Sequence, residues 1–216
     1  SNNFDDRFLR CRGQATRDFY VLRFGKFNRL PDLVIWPRSH EEVVKVVELA
    51  NKYLSVIIPY GGGTNITLSL NYTKHDNRRF FISLDTSQMN RILWIDSVSM
   101  LACIEAGIAG KDLEDALSCE GYTMGHEPDS LEFSTLGGWV ATRSSGMKQQ
   151  TYGNIEQIVV KSTFVTSCGV MEKKYLVPRA SLGPDFDHII MGSEGTLGVI
   201  TKVIVRIHKR PTERRY

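Results

Sequence analysis

The sequence predicts an α+β fold, and three observations predict it. Residues 33–58 read as strand, helix, strand. Residues 158–173 read as a hairpin, and 201–207 alternate apolar and polar side chains as a half-exposed strand does. Between these elements lie stretches dominated by glycine, serine and threonine rather than by a third kind of regular structure. A chain of 216 residues is long enough for one domain or a lobed pair, and buries roughly 70% of its unfolded surface.

Taken in order, residues 1–28 form a leader in which Arg and Asp alternate with Phe8, Leu9, Phe19, Tyr20, Leu22 and Phe24, a moderately helical pattern that calls for something to pack on. Leu33-Val34-Ile35-Trp36 is an apolar run stopped by Pro37 and reads as a buried strand. Ser39-His40-Glu41-Glu42 is a capping box, and Val43, Val44, Val46, Val47, Leu49 and Ala50 supply the apolar face of a helix to about Tyr53. Val56-Ile57-Ile58 returns as a strand, which completes a right-handed parallel βαβ unit. Asn71 to Arg79 is polar and turn-rich. Strands are then expected at Phe80–Leu84, Arg91–Ile95 and Leu101–Ala106, and a helix at Lys111–Glu120 that Gly121 ends. From Gly125 to Gly153 the chain is rich in small and hydroxyl residues with few apolar runs. Inside a compact domain such a stretch lines a site. Ile158–Thr166 and Val170–Lys173 form the hairpin around Ser167-Cys168-Gly169.

The chemistry points first to Pro59-Tyr60-Gly61-Gly62-Gly63-Thr64-Asn65, at the carboxyl end of the second strand, where ligands bind in parallel sheets. Glycine lacks a Cβ, so another group approaches its main chain closely and successive N–H groups can form an anion-binding concavity. Three or four charge-assisted N–H bonds, each worth about 1.5–3 kcal/mol, are enough to anchor a diphosphate. The competing reading is a plain tight loop. No G-x-G-x-x-G opens a helix and no Gly-x-x-x-x-Gly-Lys-Ser/Thr occurs, so Rossmann and P-loop readings fall. Two further segments, 125–153 and Gly192-Ser193-Glu194-Gly195-Thr196-Leu197-Gly198, would wrap an extended ligand together with the glycine loop.

Within these segments Arg143 is a candidate for neutralising a ligand phosphate, or else a salt-bridge partner of Glu132 or Asp129. His126 invites an acid/base role, against a structural role beside Pro128. Glu194 is a candidate ribose contact or a turn carboxylate. Trp139 is a stacking candidate, with core packing the favoured alternative. Cys11, Cys103, Cys119 and Cys168 show no metal-ligand or disulfide spacing and are expected as free thiols in a reducing compartment. A net charge of +3 with scattered cations excludes a nucleic-acid face. No apolar run is long enough to span a bilayer. Asn65-Ile66-Thr67 and Asn71-Tyr72-Thr73 match the glycosylation sequon, but a glycan on Asn65 would block the glycine loop.

Four stretches carry a resemblance to a known family. They are Pro59 to Asn65, Leu84-Asp85-Thr86-Ser87-Gln88-Met89-Asn90-Arg91-Ile92-Leu93-Trp94, Gly125-His126-Glu127-Pro128-Asp129-Ser130-Leu131-Glu132-Phe133-Ser134-Thr135, and Gly192 to Ile200. Together they resemble the FAD-binding domain of the vanillyl-alcohol oxidase type over about residues 23–209. The second and third resemble its alkyldihydroxyacetone-phosphate synthase branch in particular. The resemblance implies two α+β lobes, a small βαβ parallel-sheet lobe (about 29–95) and a larger mixed or antiparallel lobe with flanking helices (about 96–210), with FAD between them. Residues 1–28 are then the leader and 211–216 the start of a linker.

The resemblance also implies cofactor contacts. Pro59, Tyr60, Gly61, Gly62, Gly63, Thr64 and Asn65 would take the pyrophosphate. Asp129, Ser130, Leu131, Glu132, Phe133, Ser134 and Thr135, with Thr142, Arg143, Ser144 and Ser145, would run toward the isoalloxazine ring. Glu194, Gly195, Thr196, Leu197, Gly198, Val199 and Ile200 would close over it. The implied reaction exchanges the acyl chain of acyl-dihydroxyacetone phosphate for a fatty alcohol, in a peroxisomal homodimer with peripheral membrane association. The flavin serves as nucleophile and electron sink rather than as a hydride carrier. The family's cap domain and its proton-transfer tyrosine and histidine would lie beyond Tyr216, and its targeting signal before Ser1. The 216-residue chain is therefore expected to hold no catalytic residue and no metal, to bind FAD weakly at best, and to lack synthase activity. An FAD-dependent 2-hydroxy-acid oxidoreductase, which shares the glycine loop and the Glu-Gly-Thr-Leu-Gly turn, is the alternative enzyme. A non-catalytic module is the alternative of another class.

Overall fold

The computed structural model describes residues 1–25, 29–72 and 78–211. Residues 26–28 of the leader, Thr73 of the second sequon, most of the polar stretch before Arg79, and all but Pro211 of the expected linker lie outside them. Helices α1 (Phe4–Leu9) and α2 (Thr16–Phe24) make up the leader, followed by β1 (Leu33–Ile35) and α3 (His40–Lys52). Ser39 caps α3 by accepting from the Glu42 amide at 3.3 Å, as the capping box requires. Val43, Val47 and Ala50 are the buried face of this helix. Strands β2 (Val56–Tyr60) and β3 (Phe81–Asp85) complete a three-stranded parallel sheet in the order β1-β3-β2. The two strands of the βαβ unit are thus not neighbours. β3 inserts between them, in register Val34 with Ser83 and Ser83 with Ile58. All five residues of β3 are buried, as the centre of a covered parallel sheet must be.

A 3-10 turn at Thr86–Gln88 leads to β4 (Ile92–Asp96) and β5 (Leu101–Glu105), then α4 (Gly110–Cys119) and the short β6 (Tyr122–Thr123). Next come α5 (Leu136–Thr142), α6 (Gln149–Tyr152), α7 (Ile155–Ile158), β7 (Val159–Thr166), β8 (Gly169–Glu172), α8 (Phe186–Ile190), β9 (Val199–Arg206) and β10 (His208–Lys209). Five strands form an antiparallel sheet in the order β4-β5-β9-β7-β8, and β10 pairs with β6. The division between the sheets therefore falls between Asp85 and Ile92, short of residue 95, because the tight β4–β5 connection ties β4 to the second sheet. The main core lies on this sheet, with Ile104, Val203, Val205, Leu113, Leu117 and Leu136 fully buried. A smaller cluster of Val43, Leu84, Met89, Val165 and Val199 joins α3 to both sheets.

Three differences from the sequence expectation concern the 125–153 stretch. It holds two helices, α5 and α6, that glycine content concealed. In α5 the Thr135 hydroxyl caps by accepting from the Gly138 amide at 3.3 Å, so Gly137-Gly138 fill the first turn of a helix rather than a loop. Arg143 ends the helix at φ 51°, a left-handed position that glycine more often takes.

Candidate functional site

Three segments far apart in the sequence meet where strands of both sheets end. β2 delivers Gly61 to Asn65. A Cβ at Gly61 would strike the Thr135 hydroxyl, and one at Gly62 would overlap the Phe133 carbonyl. The absent side chains thus admit the 133–135 segment first. Gly137 lies against the end of β5, where its amide donates to the Ala106 carbonyl at 2.7 Å. The 192–195 turn hangs from the end of α5, Gly192 and Glu194 donating to Val140 and Ala141 at 3.2 and 2.9 Å. A Cβ on Gly195 would stand 3.0 Å from Pro59 Cδ. Glycines at these contacts let three main-chain loops pack edge to edge.

Between them runs a cleft of about 510 Å³, within the range of about 300–1,000 Å³ usual for small-molecule sites. Pro59 to Asn65 all line it, and so do Asp129, Ser130, Ser134, Thr135, Thr142, Ser144, Glu194, Gly195, Gly198, Val199 and Ile200. Leu131 packs against the core, whereas Glu132, Phe133, Arg143, Ser145, Thr196 and Leu197 are exposed and lie off the lining. Among the described residues, no hydrogen bond to the protein is donated by the amides of residues 61–65. These N–H groups are free to meet an acceptor in the cleft, which is the condition a diphosphate cradle must satisfy. The charged side chains of the lining are Asp129 and Glu194, both acidic, so binding an anion here rests on the main chain.

The sequence reading missed several lining residues, including Thr86, Ala106 and Trp139. Thr86 and Ala106 follow the carboxyl ends of β3 and β5, a position that would have marked them once those strands were placed. Trp139 is both core and wall. It is 2% exposed, donates from Nε1 to Ser134 Oγ at 2.7 Å, and still faces the cleft.

Arg143 pairs with Glu156 at 3.8 Å rather than with Glu132 or Asp129. His126 is buried, edge-on to Trp139 with ring centroids 5.0 Å apart, and its Nε2 lies 2.8 Å from Ser144 Oγ. Burial pushes its pKa down to about 4, so the imidazole is neutral near pH 7. It thus holds a hydroxyl of the cleft wall in place and takes the structural role favoured above. All four cysteines are free, Cys11 and Cys103 buried, Cys119 and Cys168 exposed.

Comparison with known proteins decides what kind of cleft this is. The family described as "FAD binding domain" matches residues 31–173. The chain belongs to this FAD-binding domain family. Its cofactor is FAD, and the cleft fits it: an elongated space, free loop amides at one end and an aromatic wall along it. An alkyldihydroxyacetonephosphate synthase of Caenorhabditis elegans is 48% identical over 216 residues, all of this chain and 36% of that protein. A solved structure of an alkyldihydroxyacetonephosphate synthase superposes with a TM-score of 0.92 at 44% identity, covering 99% of this chain and 38% of that one. A mitochondrial D-lactate dehydrogenase [cytochrome] of Arabidopsis thaliana is 32% identical over 98% of this chain and 35% of that protein. The chain thus spans little more than a third of the length of the relatives it matches.

Proposed function

We propose that this chain is the FAD-binding part of an alkyldihydroxyacetone-phosphate synthase. Such an enzyme exchanges the acyl chain of acyl-dihydroxyacetone phosphate for a fatty alcohol and has no net redox change. The observation that carries the cofactor half of the reading is the row of unbonded amides at residues 61–65, opening on a cleft that the 128–144 and 194–200 segments enclose. The substrate half is supported by the greater likeness to the synthase, 48% identity against 32% for the dehydrogenase.

When bound, FAD supplies a nucleophile and an electron sink. The residues of this chain bind and orient it. Loop amides 61–65 would hold the diphosphate, and Asp129, Ser130 and Thr135 offer acceptors and hydroxyls along the wall. Trp139 and Val199 give the cleft apolar faces that exclude water. Ser144, fixed by neutral His126, can donate its hydroxyl proton to an acceptor in the cleft. A homodimeric peroxisomal parent, associated with the membrane surface, completes the proposal.

The test has two parts. Titration of FAD into the purified chain should quench flavin fluorescence saturably, and no quenching would refute the cofactor role. With the full-length protein, ether-lipid product supports the synthase, and hydrogen peroxide or dye reduction with a 2-hydroxy acid supports the oxidoreductase instead.

A further inference from the structure

The leader holds contacts that the cofactor reading does not use. Residues 9–14 cross behind the glycine loop and bond to both of its ends. At the strand end, the Tyr60 hydroxyl donates to the Leu9 carbonyl at 3.3 Å. At the far end, the Gln14 amide donates to the Asn65 carbonyl at 2.7 Å. Gly13 makes the second contact possible, since a Cβ there would overlap the Asn65 carbonyl and stand 2.6 Å from Asn65 Oδ1.

The same segment is tied to the sheet beneath the loop. Arg10 Nε reaches Asp85 Oδ2 at 2.6 Å, and its guanidinium lies 4.9 Å from the centre of the Trp36 ring. Asp85 is buried at the end of β3, next to Tyr60 in register, and also accepts from Trp36 Nε1 at 3.0 Å and from the Ser87 amide at 2.9 Å. A buried carboxylate with three donors is a rigid anchor. Burial raises the Tyr60 pKa, so its phenol stays protonated and able to donate.

We infer that leader residues 9–14 are a brace for the diphosphate loop, positioning its free amides from behind, with Gly13 as the positioning residue on which the brace depends. The inference rests on the FAD reading above and deepens it. A short loop with no internal amide bonds keeps a concave shape only if something outside it fixes both ends, and here Leu9 and Gln14 do so. Preorganisation of this kind raises affinity by removing the ordering cost at the moment of binding.

The experiment measures FAD affinity by fluorescence quenching for the wild-type chain, Gly13→Ala and Gly13→Val. It also measures amide exchange in the ligand-free proteins. The brace predicts that Gly13→Val weakens FAD binding at least tenfold, about 1.4 kcal/mol, with Gly13→Ala in between. It further predicts that exchange rises at residues 59–66 while the β5 and β9 amides keep wild-type protection. A general loss of stability would instead raise exchange in β5 and β9, and that outcome overturns the positioning role. If Gly13→Val does not fold, Arg10→Lys, which keeps the charge beside Asp85 but shortens the anchor, must show the same selective rise at 59–66. Wild-type exchange there would overturn the brace. A wild-type chain that binds FAD while Gly13→Val binds it equally well overturns this inference alone. A wild-type chain that does not bind FAD overturns the underlying reading and the brace with it.

Discussion

Replacing His126 with Gln should remove a pH dependence of stability that the wild-type chain carries. The imidazole ordinarily titrates near 6.5, and in the fold burial holds it at about 4. A depressed value means that the folded state binds the proton less well than the unfolded chain. Stability is therefore complete above pH 6.5 and is lost as pH falls toward 4. Each pKa step is worth about 1.36 kcal/mol, so the whole window amounts to about 3 kcal/mol, and about 2 kcal/mol of it is lost between pH 7.5 and 5. Urea unfolding of wild type and His126→Gln at those two pH values gives the quantity directly, as the difference between their pH slopes. Other groups titrate alike in both proteins and cancel. Equal slopes would show that the ring is not held neutral by burial, and the reason given for its bond to Ser144 would fail with it.

Gly62→Val should lower both stability and FAD affinity, because the new side chain meets the Phe133 carbonyl before any ligand. Overpacking of this kind costs about 1–3 kcal/mol, readable by thermal melting without FAD. Arg143→Gln should change stability by less than about 1 kcal/mol and leave FAD affinity unchanged, since Arg143 is half-exposed and pairs with Glu156 away from the cleft lining. A tenfold loss of affinity in that variant would restore the phosphate role. Trp139→Phe deletes the Nε1 donor to Ser134 and should cost about 1–3 kcal/mol in denaturant unfolding.

The regular elements were legible because local rules set them: the Ser39 cap, the valine face of α3, the Gly121 stop at φ 80° and the 167–169 hairpin turn all stand where the residues place them. The order of the parallel sheet was not, since β3 enters between β1 and β2 after a long excursion that no local pattern records. Helix α5 was hidden by its own glycines. Gly137 is there for close approach to Ala106, a tertiary reason that overrides low helical propensity. The three cofactor segments could be picked out by glycine and hydroxyl content. Which members turn into the cleft could not, because Phe133 and Arg143 share a segment with Ser134 and Ser144 and differ only in the direction the backbone gives them.

The central claim is that the main-chain amides of residues 61–65 take up the FAD diphosphate. Amide NMR of the chain on addition of FAD measures this at the atoms concerned. The account predicts that the amides of Gly61, Gly62, Gly63, Thr64 and Asn65 shift and become protected from exchange together, in step with flavin quenching. Flavin binding that leaves those five amides unshifted and unprotected would contradict it.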